Sequence, residues 1–398
     1  MRKKLSLLIA LAICLSTTTT SFAAAENASA ANNNSSIVQV DNSTLSLTMY
    51  DAVNNIEKNN TEIKLMKDKV DYLHKQYDLD HEVATALNTN VAGVDKIQAK
   101  TQKIIVPLKD EQSIKNQQDA LDVRLNNLKF DMERQYLNIL TSNDQIDNIN
   151  KTLKNLDEQI NKLQQQINLG LATSDSLNSL NVQKSQLMNQ IDSINADIDN
   201  SMLIMKQYLN VNLNRNLNLA DAKKEFAIFD DTNTASKIDE AVEKDYGVSQ
   251  SQTSLDIVKK QQEIYKQYDN DIKGGITGTQ SDLLKAQNDL VAARENAKTN
   301  LWNKYYTLKS DENAIETEDL NLKSAQADYD KAKSNYDNGM IDKLALDSAA
   351  LALDKQKNMS QRAKNEYMIV QEQFKYMLDG HASAQLSNKS IGTSGIEY

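Results

Sequence analysis

The feature that most constrains this chain is a run of apolar residues spaced three and four apart. Ile146, Ile149, Leu153, Leu156, Ile160, Leu163 and Ile167 follow that rhythm without a fault. Only an α-helix places such positions on one face, and a sustained heptad needs a second helix to cover its narrow seam. Upstream, Leu121, Leu125, Leu128, Met132, Tyr136 and Ile139 carry the face on, with a stutter at 128–132–136 and a gap at Asn143. A helix over 121–167 is on the order of 70 Å long.

The stretch "INLGLATSDSLNSL", residues 167–180, ends that run. Gly170 can adopt the left-handed backbone that stops a helix, and Thr173 or Ser174 can cap the next one. A second seam then begins at Leu177, Leu180, Leu187, Ile191, Ile194, Ile198, Met205 and Leu209. Two seams joined by a short turn predict an antiparallel helical hairpin.

The same pattern recurs. Residues 167–209 realign on 336–378, so that Gly170 meets Gly339, Leu177 meets Leu346, Lys206 meets Lys375 and Leu209 meets Leu378. Upstream of Gly339, Leu322, Ala325, Tyr329, Ala332 and Tyr336 step by threes and fours. "YDAVNNIEKNN" (50–60) resembles "IDEAVEKDYGV" (238–248), with Ala52–Val53 on Ala241–Val242 at the different offset of 189. The chain therefore reads as two tandem copies, 45–209 and 237–380, joined by a connector over 210–236 and followed by a polar tail over 381–398. Each copy is a short entry helix, a long helix, a break, a second long helix and a glycine turn into a third. The first copy carries about 20 extra residues between roughly 75 and 125.

Within the first copy, Ser46 or Thr48 can cap a helix led by Met49, Val53 and Ile56. A further helical stretch runs from Thr61 toward residue 104. Pro107 in "KIIVPLKDEQS" removes a backbone donor, so a break is expected there, with room for one short strand at "KIIV". One proline and 5% aromatic residues in 398 also point to helices rather than sandwiches. The fold class expected is all-α: elongated antiparallel coiled-coil hairpins with little or no β-structure.

The chain opens with Arg2, Lys3 and Lys4, then "LSLLIALAICL", then small residues before Glu26. That is a signal peptide over 1–25, cut after Ala23 or Ala25, with a disordered leader over 26–44 behind it. Ile13 is too bulky to favour lipoprotein processing at Cys14. Cleavage removes the sole cysteine, and with it any disulfide or cysteine metal site. Formal charge is −10, and about −13 once the three basic residues are lost. Such an acidic chain lacks the basic stripe that nucleic acid requires. No later apolar run approaches the ~20 residues of a spanning helix.

Catalytic chemistry is not evident. His74 and His81 share a helix face with Asp78 between them, but two turns separate them by ~10 Å, too far for one ion. No phosphate-binding loop and no Ser–His pairing is visible, so neither an enzyme nor a cofactor is expected. Trp302, Tyr305 and Tyr306 read as seam and inter-protomer packing. Asp342 reads as a helix cap. Asp175 and Asp347, beside the two glycine turns, have two readings: helix-end charges complementing the dipole, or rings of carboxylate that gate a pore. Leu169, Leu171 and Met340 either close their own turns or stand out as docking anchors.

Four stretches together resemble the TolC family of outer-membrane efflux proteins. They are "LSLTMYDAVNNIEKNNTEIKLMK" as the opening helix, "INLGLATSDSLNSL" and "YDNGMIDKLALDSA" as two hairpin tips, and "IKGGITGTQSDLLKAQNDLVAARENA" (272–297) as re-entry into a long helix. The resemblance implies a homotrimeric tube that serves efflux or type I-like secretion passively. Its tips, here Leu169, Gly170, Leu171, Asn338, Gly339 and Met340, would meet a periplasmic-type adaptor that works with an inner-membrane pump. Export to the cell envelope follows: outer membrane and periplasm in a double-membraned cell, wall or surface otherwise. This sequence departs from the family in its membrane strands. A spanning strand needs ~9–11 alternating residues, and neither copy supplies a pair. The other reading is a coiled-coil scaffold of the envelope or wall that transports nothing.

Overall fold

A computed structural model describes residues 43–222, 224–268 and 275–386. The expected signal peptide, nearly all of the leader and most of the polar tail lie outside the described residues. The elements are β1 (Leu45–Leu47), α1 (Met49–Asn59), α2 (Thr61–Ala86), α3 (Gly93–Asn168), α4 (Ser174–Tyr208), β2 (Leu217–Leu219), α5 (Thr234–Lys244), α6 (Tyr246–Tyr268), α7 (Gly275–Asp337) and α8 (Lys343–Tyr376). The all-α class expected from the heptads is the class observed.

The duplication is visible in matched elements. α1 and α5 are 11 residues each, and α4 and α8 have 35 and 34. Each copy opens its second helix with a polar cap that also bonds the chain at or just beyond the end of that copy. Asn60 Oδ1 accepts from Ile63 N at 3.1 Å, while Asn60 Nδ2 donates to the Tyr208 carbonyl at 3.1 Å. Asp245 Oδ1 accepts from Val248 N at 3.1 Å, and Asp245 Oδ2 accepts from Ser383 N at 2.8 Å. These caps, Asn60 and Asp245, stand 185 residues apart and correct the offset of 189 read from the sequence by about one helical turn. The surplus of the first copy lies mainly in α3, which has 76 residues against 63 in α7.

Two boundaries correct the sequence reading. α2 stops at Ala86, and α3 starts at Gly93 and continues through Pro107. Neither a break at Pro107 nor a strand at "KIIV" exists. An interior proline costs ~3 kcal/mol. Here it is opposed by packing: Ile97, Ile105 and Leu108 cluster with Ile257, Ile264, Tyr265 and Tyr268 of α6, and Pro107 is itself buried. Burial of three or four such side chains, at ~1.5–3 kcal/mol each, exceeds the proline penalty.

α3 organises the rest. Its first half lies between α2 and α6, and its second half between α4 and α8; α7 covers α6 and then α8. Side-chain pairs fix the sense. Ile97 and Ile105 meet Ile264 and Ile257, and Gln112 Nε2 donates to Ser254 Oγ at 2.6 Å, so α3 and α6 run antiparallel. Nearer the tip, Ile149, Leu153 and Leu156 of α3 pack with Leu187, Ile191 and Ile194 of α4 and Leu351 of α8. The seam residues from Ile146 to Ile160 are thus where the heptads placed them.

At mid-length a second layer crosses the helices. β1 and β2 pair in parallel, Ser46 opposite Asn218. The buried Tyr136 hydroxyl of α3 lies 2.9 Å from the Leu47 carbonyl and 2.6 Å from that of Ala220, tying both strands to the long helix. These are the only strands among the described residues, and no described helix is long and apolar enough to cross a membrane.

Candidate functional site: hairpin tips and open edges

Both tips are built alike. α3 ends at Asn168, Gly170 takes φ 74°, and Leu171 N donates to the Gln166 carbonyl at 2.8 Å. α7 ends at Asp337, Gly339 takes φ 69°, and Met340 N donates to the Asn335 carbonyl at 2.8 Å. This is the Schellman closure, in which a left-handed residue lets a carbonyl of the last turn find a donor. A Cβ at either glycine would meet open space, so the glycines are required for backbone sign, not for room.

The apolar tip residues do not fold back on their own turns. Leu169 is 72% exposed, Leu171 75% and Met340 68%. At the second tip Asn338 Nδ2 donates to the Ser334 carbonyl, and Asp342 caps α8 by accepting from Ala345 N at 2.9 Å. At the first, Thr173 precedes α4 without a side-chain cap bond.

The two carboxylates considered for gating differ. Asp175 is exposed in the first turn of α4. Asp347 is buried within its own hairpin, with Lys343 Nζ 2.5 Å from Oδ1. Lys343 also lies 5.9 Å over the Tyr336 ring, so this tip is stitched across its turn. His74 and His81 are both exposed; His81 stacks on Tyr77. No group of three or more metal-ligating side chains occurs among the described residues. Trp302 and Tyr305 border the core beside Phe374, whereas Tyr306 is 61% exposed.

The structure also reveals residues that the seam reading passed over. The far half of the chain forms a helical layer ordered α2–α3–α6–α7, so α2 and α7 are its two edges. α2 turns Ile63, Val70 and Ala84 inward. Yet Leu65, Tyr72 and Leu79, spaced by sevens, are each more than 60% exposed, and Val83 joins them. On the opposite edge, Leu284 and Val291 of α7, also seven apart, are more than 50% exposed. A second heptad offset by two residues was the signal in the sequence. The tip half has edges α4 and α7, where Val182, Leu203 and Leu320 project.

Comparison with solved structures decides what this arrangement is. The channel CusC superposes with a TM-score of 0.62 at 12% identity, over 83% of this chain and 92% of that one. CmeC, an outer-membrane channel of Campylobacter jejuni, gives 0.62 at 10%, over 83% and 85%. VceC, an outer-membrane protein of Vibrio cholerae, gives 0.59 at 8%, over 84% and 96%. The fold is TolC-like. No family model matches this sequence, and no curated protein sequence matches it significantly. The resemblance stated from four motifs is therefore supported at the level of the fold.

The connection from α2 to α3 is the irregular stretch 87–92, and only six residues separate Tyr268 from Gly275. The six residues of 87–92 fall short of the ~9–11 that one membrane-spanning strand requires.

Proposed function

We propose that this chain is a passive conduit protein of the cell envelope that closes into a homotrimeric helical tube. The observation that carries the reading is the pair of apolar stripes on opposite edges of one helical layer. Within a protomer these side chains remain in water. α2 runs against α7 in direction, so placing the α7 edge of one copy on the α2 edge of the next sets Leu284 near Leu79 and Val291 near Tyr72. Covering such stripes at ~25 cal/mol per Å² of apolar area gives self-association its driving force. The fold shared with CusC, VceC and CmeC supports a channel rather than an enzyme.

In this reading the conduit serves efflux or type I-like secretion. The tip residues Leu169, Gly170, Leu171, Asn338, Gly339 and Met340 dock a periplasmic-type adaptor that works with an inner-membrane pump. Opening separates the tips. Asp175, exposed on the first tip, is the better placed gating carboxylate, because Asp347 is engaged by Lys343.

The test is oligomeric state. Light scattering of the purified mature chain is expected to give a trimer, and Tyr72→Glu with Leu79→Glu a monomer of unchanged helicity. A wild-type monomer at tens of micromolar overturns the tube. The short connection from α2 to α3, opposite the tips, favours a second reading, a wall or envelope scaffold that transports nothing. Electron microscopy separates them: a hollow trimer supports the conduit, and a solid rod the scaffold.

A further inference from the structure

The connector between the two copies is a strap, and its fastening has unusual charge chemistry. After β2 the chain crosses α3, then α8, then α7. The Ala220 carbonyl is held by Tyr136 of α3. The Ala227 carbonyl accepts from Gln371 Nε2 of α8 at 2.9 Å, and Phe229 N donates to the Tyr367 hydroxyl of α8 at 2.8 Å. Asp231 meets Lys309 Nζ of α7 at 2.9 Å. Between the α3 and α8 crossings sits Lys224, its side chain 8% exposed. Its ammonium lies 2.5 Å from Glu133 Oε2 of α3 and 2.5 Å from Glu372 Oε2 of α8.

One ammonium cannot balance two carboxylates, and here Lys224 and Glu133 are shielded, with side chains 8% and 18% exposed, while Glu372 on the outer side is 38% exposed. With both ionised the trio carries −1; with one proton between the carboxylates it is neutral. The remaining charges nearby are committed elsewhere. Arg134, next on α3, is gripped by Glu366 of α8 through Nε at 3.0 Å and Nη2 at 2.9 Å, and lies 3.8 Å from Asp131. On α8, Lys375 donates to Gln371. On the strap, Asp221 and Glu225 are exposed.

We propose that Glu133, Glu372 and Lys224 form a proton-operated latch that fastens the strap across the junction of the two copies. Burial raises the Glu133 carboxyl from 4.5 to about 7, opposed by Lys224 and assisted by Glu372. Because this pKa is raised in the folded state, the latch is fastened below the unfolded value. It slackens as pH rises through about 7. Loss of the proton leaves like charges facing each other from α3 and α8, the helices that join the first copy to the second. The strap is also the covalent tie between those copies. None of this depends on the conduit reading, since it is a property of one folded chain.

Hydrogen exchange of the full mature chain tests the latch, with rates corrected for intrinsic exchange at each pH. In the wild type, strap amides 225–231 are expected to lose about tenfold protection between pH 6 and pH 8. Amides of α3 around Leu156 are expected to stay constant. Glu133→Gln should hold the strap equally at both pH values. Three results overturn the latch: wild-type strap protection that does not change, a Glu133→Gln strap that still responds, or one that is loose at both pH values. Should that variant misfold, carboxyl-carbon NMR of wild-type protein labelled at glutamate decides the matter. A step near neutral pH supports the latch, and its absence refutes it.

Discussion

At Gly170 and Gly339 the backbone occupies the left-handed region, with nothing crowding the α-carbon. Valine at either site would be strained by about 1–3 kcal/mol and would push the turn out of its closure. Gly170→Val and Gly339→Val are expected to weaken pull-down of a candidate adaptor while far-ultraviolet circular dichroism is unchanged. Normal binding by both would remove the tips from the docking scheme. Elsewhere a buried lysine makes stability depend on pH. Lys304 of α7 is 6% exposed and donates to Gln373 at 2.6 Å. Burial, with Arg134 adding, lowers its pKa from 10.5 to about 8. The folded chain thus holds fewer protons than the unfolded one between about pH 8 and 10.5, and stability rises with pH across that window. Lys304→Met is expected to stabilise the fold at pH 7 by about 1–3 kcal/mol, the advantage shrinking by pH 10. Urea denaturation at both pH values measures it.

Helices carry the next set of consequences. Pro107 leaves one carbonyl of α3 without its helical donor, and surrounding packing holds the helix together regardless. Pro107→Ala is therefore expected to raise stability by about 1–3 kcal/mol in urea titrations. A loss would mean that the ring itself is the filler of the Ile105 and Ile257 cluster. The same element shows why the sequence reading placed a break here. Proline is a local signal, and the side chains that overrule it come from α6, about 150 residues away in sequence. Edge helices pose a related difficulty. On α2 both the inward heptad and the outward one are apolar, so periodicity identified a helix without saying that two of its faces need cover.

For the whole molecule, edge pairing makes a geometric demand. The only cysteine, Cys14, lies in the expected signal peptide, so introduced thiols report without background. Leu79→Cys combined with Leu284→Cys in one chain should give an oxidised ladder that ends at three copies. Either substitution alone should not give that ladder. A ladder that continues to higher multiples would indicate an open filament instead of a closed ring. Monomer alone would place the two stripes out of reach of each other.

Much of this protein follows from short-range pattern. Heptad spacing set the helices and their buried faces. Glycines 169 residues apart set the two turns, and the duplication set the element order, because each depends only on a helix's own repeat and on backbone sign. What tertiary structure alone decided is where distant segments meet. It carried α3 through Pro107 and moved the entry-helix alignment by a turn. It also set Asp347 against Lys343 and brought Lys224 between Glu133 and Glu372. Those outcomes turn on burial and on charges contributed by separate helices, and neither is written in the residues beside them.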